Sequence, residues 1–342
     1  MIEKYYDGAI EQVAAGLGTV EKNYLLVRYS GQFSVENLND TKQLEKNEDI
    51  FVQVHEFETG EITCAYEPYL TMICDGFRRY MTGTFEEFME TCDVYYLHRP
   101  VLLGYFNQDN TGREEIILLD EVAYEQERML AALERMLCAI ADRHPVLFVL
   151  NRFQLASKST MQLTARFLKC ENCNIGLVLG VSDIQAMPEF LVPDWEMLYE
   201  TLDDGSKIYH IGNSGRKKEE TIDDEKYVDY GSEKVYRKLQ NMVEFLDFDQ
   251  AAYYLETIER KIKFDNLLVD DAARFRMWLL FVKVSILRQD IPKALEICED
   301  LEKIHLAGKE EECAYEQDYL IATAYMYQGK LKEALEMAGE TY

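Results

Sequence analysis

The side chains able to do chemistry in this sequence are scattered along it rather than gathered. Asp120 and Glu121 close the apolar run Ile116-Ile-Leu-Leu, and neighbouring carboxylates at a strand end are what hold Mg²⁺ and orient water in phosphoryl transfer. Helical periodicity begins at once after them, through Met129, and acids that open a helix also serve simply by facing its positive end. Cys170 and Cys173 form a CxxC in KCENCN. A structural zinc needs four ligands and no second pair lies at a useful distance, so the two also read as ordinary thiols near a strand start. The five histidines, His55, His98, His144, His210 and His305, never fall at ligand spacing. His55, beside Glu56, has the neighbours of a general base, an arrangement that is commonplace on strands. Asp203-Asp204-Gly205 is a turn signal rather than an acid pair. No GxSxG, HExxH or complete GxGxxG string occurs, and Gly16-Leu17-Gly18 precedes the first strand instead of following it. The expectation is no catalytic residue, no metal and no cofactor.

The elements that must position these residues follow from periodicity. Tyr24–Tyr29 and Ile50–Phe57 read as short strands, Val146–Leu150 and Ile175–Val181 as strands covered on both faces, and Ile208–Ile211 as a last strand. Between them, helical spacing covers about 64–81, 121–141 and 161–168. Thr84 followed by Glu87 is a capping box opening a short helix through Phe85 and Met89. Residues 94–119 carry two apolar runs around NQDNTG and are read as a hairpin, or as a strand joined to a helix start. Strands separated by helices imply an α/β domain with a mostly parallel sheet and helices on both faces. This domain spans 1–212.

Residues 213–229 have no apolar periodicity and are read as a linker. From 230 to 342 the text is helical and repeats itself: FLDFDQAAYYLE, ILRQDIPKALEIC and MYQGKLKEALEMA align on Ala251, Ala294 and Ala334, 43 and 40 residues apart. Each unit is a helix, a tight turn and a second helix whose small Ala admits its partner closely, an all-α repeat that buries its face by stacking. The text stops inside the second helix of the third pair, which reads as an exposed repeat edge or a truncated piece, truncation being the preferred expectation.

Bulk composition narrows the partners. The 342 residues hold 36 Lys and Arg against 63 Asp and Glu, a formal charge of -27. Such a surface repels phosphate backbones and anionic lipid, which argues against nucleic acid and membrane and for a basic protein or peptide. No apolar run is long enough to cross a bilayer, the amino terminus is not a signal peptide, and the eight cysteines sit mostly in apolar patterns. A reducing, cytoplasmic setting follows.

The plan resembles a known one. The strand pattern over about 20–212 is similar to the ATPase domain of STAND-type signalling proteins, an AAA+-related class that includes MalT-like regulators. Over about 235–342, Ala322, Tyr325, Gly329, Ala334 and Leu335 resemble the order of tetratricopeptide repeats, although 43 and 40 exceed that repeat's usual length of about 34. The resemblance implies a three-layer, P-loop-NTPase-like sheet domain followed by TPR-like repeats. In that family the first strand leads into a Gly-rich loop ending in Lys-Ser or Lys-Thr. Here the matching segment is Ser30–Asn37, where Gly31 and Ser34 echo the loop but Val35 or Glu36 stands in place of Lys. Ala65-Tyr-Glu-Pro-Tyr-Leu70 resembles the family's next helix start. In Phe148–Ser159, Gln154 and Ser159 echo the later strand, whereas Asn151 and Arg152 replace its acids. An amide and a guanidinium cannot take over metal binding from a carboxylate pair.

Two functions are therefore expected as rivals. One is a catalytically silent signalling or scaffolding module, presenting its repeats to a protein or peptide, with an output domain beyond residue 342 implied by the resemblance alone. The other is a nucleotide-binding switch, in which backbone amides at 30–37 bind ATP or GTP beside a residual anion pocket of Arg28, Lys22 and Arg152. Gly31, Ser34, Arg28 and Arg152 are its candidate binding residues. As ordinary surface charges the basic ones need no such role.

Overall fold

A computed structural model describes residues 2–19, 23–29, 49–58, 60–108, 121–170, 174–182, 187–203, 207–211, 229–301, 303–304 and 310–340. The expected linker (apart from Asp229), the candidate residues Gly31 and Ser34, and Asp120 and Cys173 lie outside them. The chain divides into two compact units, Met1–Glu114 with Glu127–Val228, and Glu115–Gln126 with Asp229–Tyr342.

The first unit is α/β. Its strands are β1 (Asn23–Tyr29), β2 (Phe51–Glu56), β3 (Val146–Asn151), β4 (Ile175–Ser182) and β5 (Lys207–Ile211). They form one sheet in the order β2-β3-β4-β1-β5, and every neighbouring pair is parallel. Its helices are α1 (Ile2–Gly16), α2 (Tyr69–Tyr80), α3 (Phe85–Thr91), α4 (Arg99–Asn107), α5 (Val122–Ala141, which belongs to this unit from Glu127 onward), α6 (Lys158–Lys169) and α7 (Val192–Asp203).

β3 and β4 are buried along their whole length, as strands between two helical layers must be. On one face Ile10 and Val13 of α1 pack on Leu25, Val27, Leu147, Val149 and Val178. Gly176 lets α1 come this close, because a Cβ there would sit 2.7 Å from Val13 Cγ1. On the other face Tyr69 of α2 lies edge-on to Phe148, 4.7 Å between centroids, and to Phe167 of α6 at 5.1 Å. Its hydroxyl shares a 2.6 Å hydrogen bond with Thr164.

The capping box is present as read: Thr84 Oγ1 accepts from Glu87 N–H and Glu87 accepts from Thr84 N–H. Residues 94–106 differ from the strand reading. They form a turn and α4, with Pro100 in the first helical turn, where its missing N–H costs nothing. The aromatic run serves a cluster instead of a sheet: Phe106 stacks on Phe85 at 4.1 Å, and Phe77 meets both rings. The run Glu115–Asp120 lies outside the described residues.

The second unit is helical: α8 (Glu233–Glu244), α9 (Phe248–Phe264), α10 (Asp271–Leu287), α11 (Ile291–Leu301), α12 (Glu310–Tyr327) and α13 (Leu331–Glu340). Three hairpins share one turn. A residue in the left-handed region, Leu246, Gln289 or Gly329, ends the first helix. The next N–H then closes a six-residue loop: Asp247 to Met242 O, Asp290 to Ser285 O and Lys330 to Tyr325 O, at 2.8, 2.8 and 2.9 Å. This is the Schellman closure, and its recurrence explains the alignment on Ala251, Ala294 and Ala334. Ala251 and Ala294 are fully buried, whereas Ala334 is half-buried.

Successive hairpins are also tied by charge. Glu259 of α9 accepts from Lys263 at 2.6 Å and pairs with Lys293 of α11 at 2.9 Å. Glu296 pairs with both lysines. Among the described residues no helix is long and apolar enough to cross a membrane.

Candidate functional site

In a parallel sheet, ligands bind beyond the carboxyl ends of the strands, where the order of connections reverses. Here β1 leads to β2 at one edge, while β4 leads to β5 at the other, and β1 and β4 are neighbours. Their in-register partners Tyr29 and Ser182 mark that point. The groups gathered around it are Tyr29, Glu56, Asn151, Arg152, Gln154 and Ser182.

These groups satisfy one another. The Tyr29 hydroxyl donates to Asn151 Oδ1 at 2.7 Å, reaching from β1 past β4 to β3. Both residues are essentially sealed from solvent, at 1% and 0% exposure. Burial pushes the Tyr29 phenol up to about 12 against the opposing pull of Arg152, so it stays a neutral donor. Arg152 takes a left-handed backbone, φ 53, which turns the chain from β3 into the 3-10 turn Phe153–Leu155. Its Nε lies 3.4 Å from Glu56 Oε1, with side chains 24% and 16% exposed.

Gln154 clamps the end of β4. Its amide donates to Ser182 O at 3.1 Å and accepts from Ser182 N–H at 3.3 Å. Ser159 Oγ accepts from Tyr66 N–H at 3.0 Å, and Thr160 Oγ1 donates to Glu67 O at 2.9 Å. The start of α6 thus holds the loop before α2. Ser157 caps α6 by accepting from Thr160 N–H and links to both hydroxyls.

The geometry separates the proposed anion-binding residues. Arg152 joins Tyr29, Asn151 and Glu56. Arg28, adjacent to Tyr29 on β1, points to the opposite face by strand alternation and stacks over Tyr199 of α7, 5.0 Å from its centroid. Gly31, Ser34 and Lys22 lie outside the described residues. Glu121 precedes α5, where its carbonyl accepts from Glu125 N–H. Among the described residues, no group of three or more His, Cys, Asp or Glu could hold a metal. His55 lies against Phe57, and His144 stacks on Tyr80 at 4.1 Å.

Gln154 and Ser159 were visible in the sequence as echoes of a pattern. Tyr29 was not: it looks like the last apolar residue of a strand, and its partner is 122 positions away. No protein-family model matches the chain, and no curated protein matches it.

Proposed function

We propose that this chain is a non-catalytic signalling or scaffolding module: a degenerate, STAND-type, P-loop-NTPase-like frame followed by TPR-like repeats that bind a protein or peptide. The observation that carries the first half is the Tyr29–Asn151 hydrogen bond at the switch point. Phosphoryl chemistry there needs carboxylates for Mg²⁺ and a cation for phosphate. The strand ends instead offer a buried phenol–amide pair, and the cation Arg152 faces Glu56. The second half rests on three hairpins closed by the same turn, since stacked helical pairs build extended recognition surfaces. The net charge of -27 favours a basic partner. The resemblance alone adds that such modules work within longer regulatory proteins.

One observation favours the nucleotide-switch reading. Arg28 Nε is buried with no hydrogen-bond partner among the described residues, at the end of β1 where Ser30–Asn37 begins. Titration calorimetry with ATP, ADP and GTP plus Mg²⁺ separates the two. The silent module gives no heat of binding up to millimolar nucleotide. Submicromolar affinity sinks it and makes Arg28 the first residue to mutate.

A further inference from the structure

Away from the switch point, two thiols from distant parts of the sequence meet. Cys138 Sγ, on α5, lies 3.6 Å from Cys170 Sγ, at the residue that ends α6. Both are reduced, and both residues are partly exposed. The contact belongs to a ladder. One turn earlier on each helix, Arg166 Nε donates to Glu134 Oε2 at 2.7 Å, with the same 32-residue offset as the cysteines. Arg166 also pairs with Glu127. Four residues is one step along a helix face, so α5 and α6 run side by side in parallel and the thiols form the next rung. Salt bridges already hold the helices here, and no disulfide joins the sulfurs.

We propose that Cys138 and Cys170 are a reversible dithiol–disulfide pair, oxidised by low-molecular-weight disulfides such as oxidised glutathione, that staples α5 to α6 around β3 and the switch-point turn. A disulfide needs the sulfurs at about 2.0 Å, a closure of roughly 1.5 Å. Cys170 can supply it, because it has left the helix for an extended backbone, φ -67 and ψ 142.

The order of events follows from the surroundings of Cys138. Burial first, then its neighbours Cys170, Glu134 and Asp142, push its thiol well above the usual range. Thiolate is the attacking form, so Cys138 is the poorer first nucleophile; held 3.6 Å from Cys170, it is placed to resolve a mixed disulfide there, losing its proton as it attacks. Cys170 sulfur attacks oxidised glutathione, forming a mixed disulfide and releasing one glutathione. Cys138 sulfur then attacks the Cys170 sulfur and expels the second. The two thiols lose two electrons and two protons, and one oxidised glutathione becomes two reduced ones.

The test uses the full chain equilibrated with excess oxidised glutathione, then acid-quenched, alkylated and digested with trypsin. The sequence makes the outcomes distinct: Cys138 lies in the peptide Met136–Arg143, whereas Cys170 and Cys173 share the peptide that begins after Lys169. The expected product is a cross-link between these two peptides, carrying no glutathione and reversed by a dithiol reductant. It persists with Cys173→Ser, and Cys138→Ser in that background leaves glutathione on Cys170. A bridge confined to the Cys170 peptide overturns the proposal. So does stable glutathione on Cys170 with Cys138 still alkylated, or no reaction at either thiol in folded protein.

Discussion

Replacing Tyr29 with Phe removes one oxygen from the centre of the sheet and nothing else. The lost donor lies 2.7 Å from Asn151 Oδ1, in a residue with no solvent exposure. An exposed hydrogen bond would be exchanged for water at little net cost, but this one is sealed from bulk solvent. The loss expected is therefore about 1–3 kcal/mol, the range for depriving a buried polar group of its partner. For a unit of this size that corresponds to roughly 2–4 °C in Tm per kcal/mol. Urea unfolding followed by circular dichroism, with Tyr29→Phe, Asn151→Leu and the double variant, isolates the pair. Residues in direct contact couple by about 0.5–3 kcal/mol, so the double variant should lose clearly less than the sum of the singles. A Tyr29→Phe loss below about 0.5 kcal/mol, or additive singles, would mean that this pair does not hold the strand ends together.

Three further outcomes follow from the same structure. Burial holds the Tyr29 phenol at about 12 and raises Tyr69 and Tyr105 as well. Above the unfolded value near 10 the unfolded chain releases protons that the folded chain keeps, so stability should be full below pH 10 and fall as pH rises. The slope is about 1.4 kcal/mol per pH unit for each tyrosine; a urea-unfolding free energy that stays constant from pH 10 to pH 12 contradicts it. Gln289→Gly should stabilise the helical unit by about 0.5 kcal/mol, because it relieves the left-handed strain of an exposed non-glycine residue at φ 61 while adding unfolded-state entropy; a lower thermal midpoint would tell against the shared turn. Ala294→Leu should cost about 1–3 kcal/mol by overpacking a fully buried position, whereas Ala334→Leu at the aligned, half-buried position should be nearly neutral, and equal losses would contradict that difference in packing.

Local signals made much of the frame legible. β3 and β4 were read from unbroken apolar runs, and the short helix at Thr84 from its cap. The hairpins were found through Ala251, Ala294 and Ala334 because identical backbone closures impose similar spacing, even where Leu246 and Gln289 replace the glycine. The failures have physical reasons. Residues 94–106 alternate too little to reveal a period, and Phe106 answers to Phe77 and Phe85 rather than to a sheet. α1 and α7 were not read as elements at all. The candidate site was half legible: Gln154, Ser159 and the missing acids were in the text. The Tyr29–Asn151, Arg152–Glu56 and Cys138–Cys170 pairings are products of the strand order and of helix register, which no local pattern encodes.

The reading proposed for the first unit is that the strand ends at the switch point are closed to nucleotide. Hydrogen exchange of the full chain with and without saturating ATP and Mg²⁺ tests it at the residues concerned. Identical exchange is expected in peptides covering β1 with the segment after it and β3 with the turn through Ser159. Slowed exchange there on adding nucleotide would contradict it.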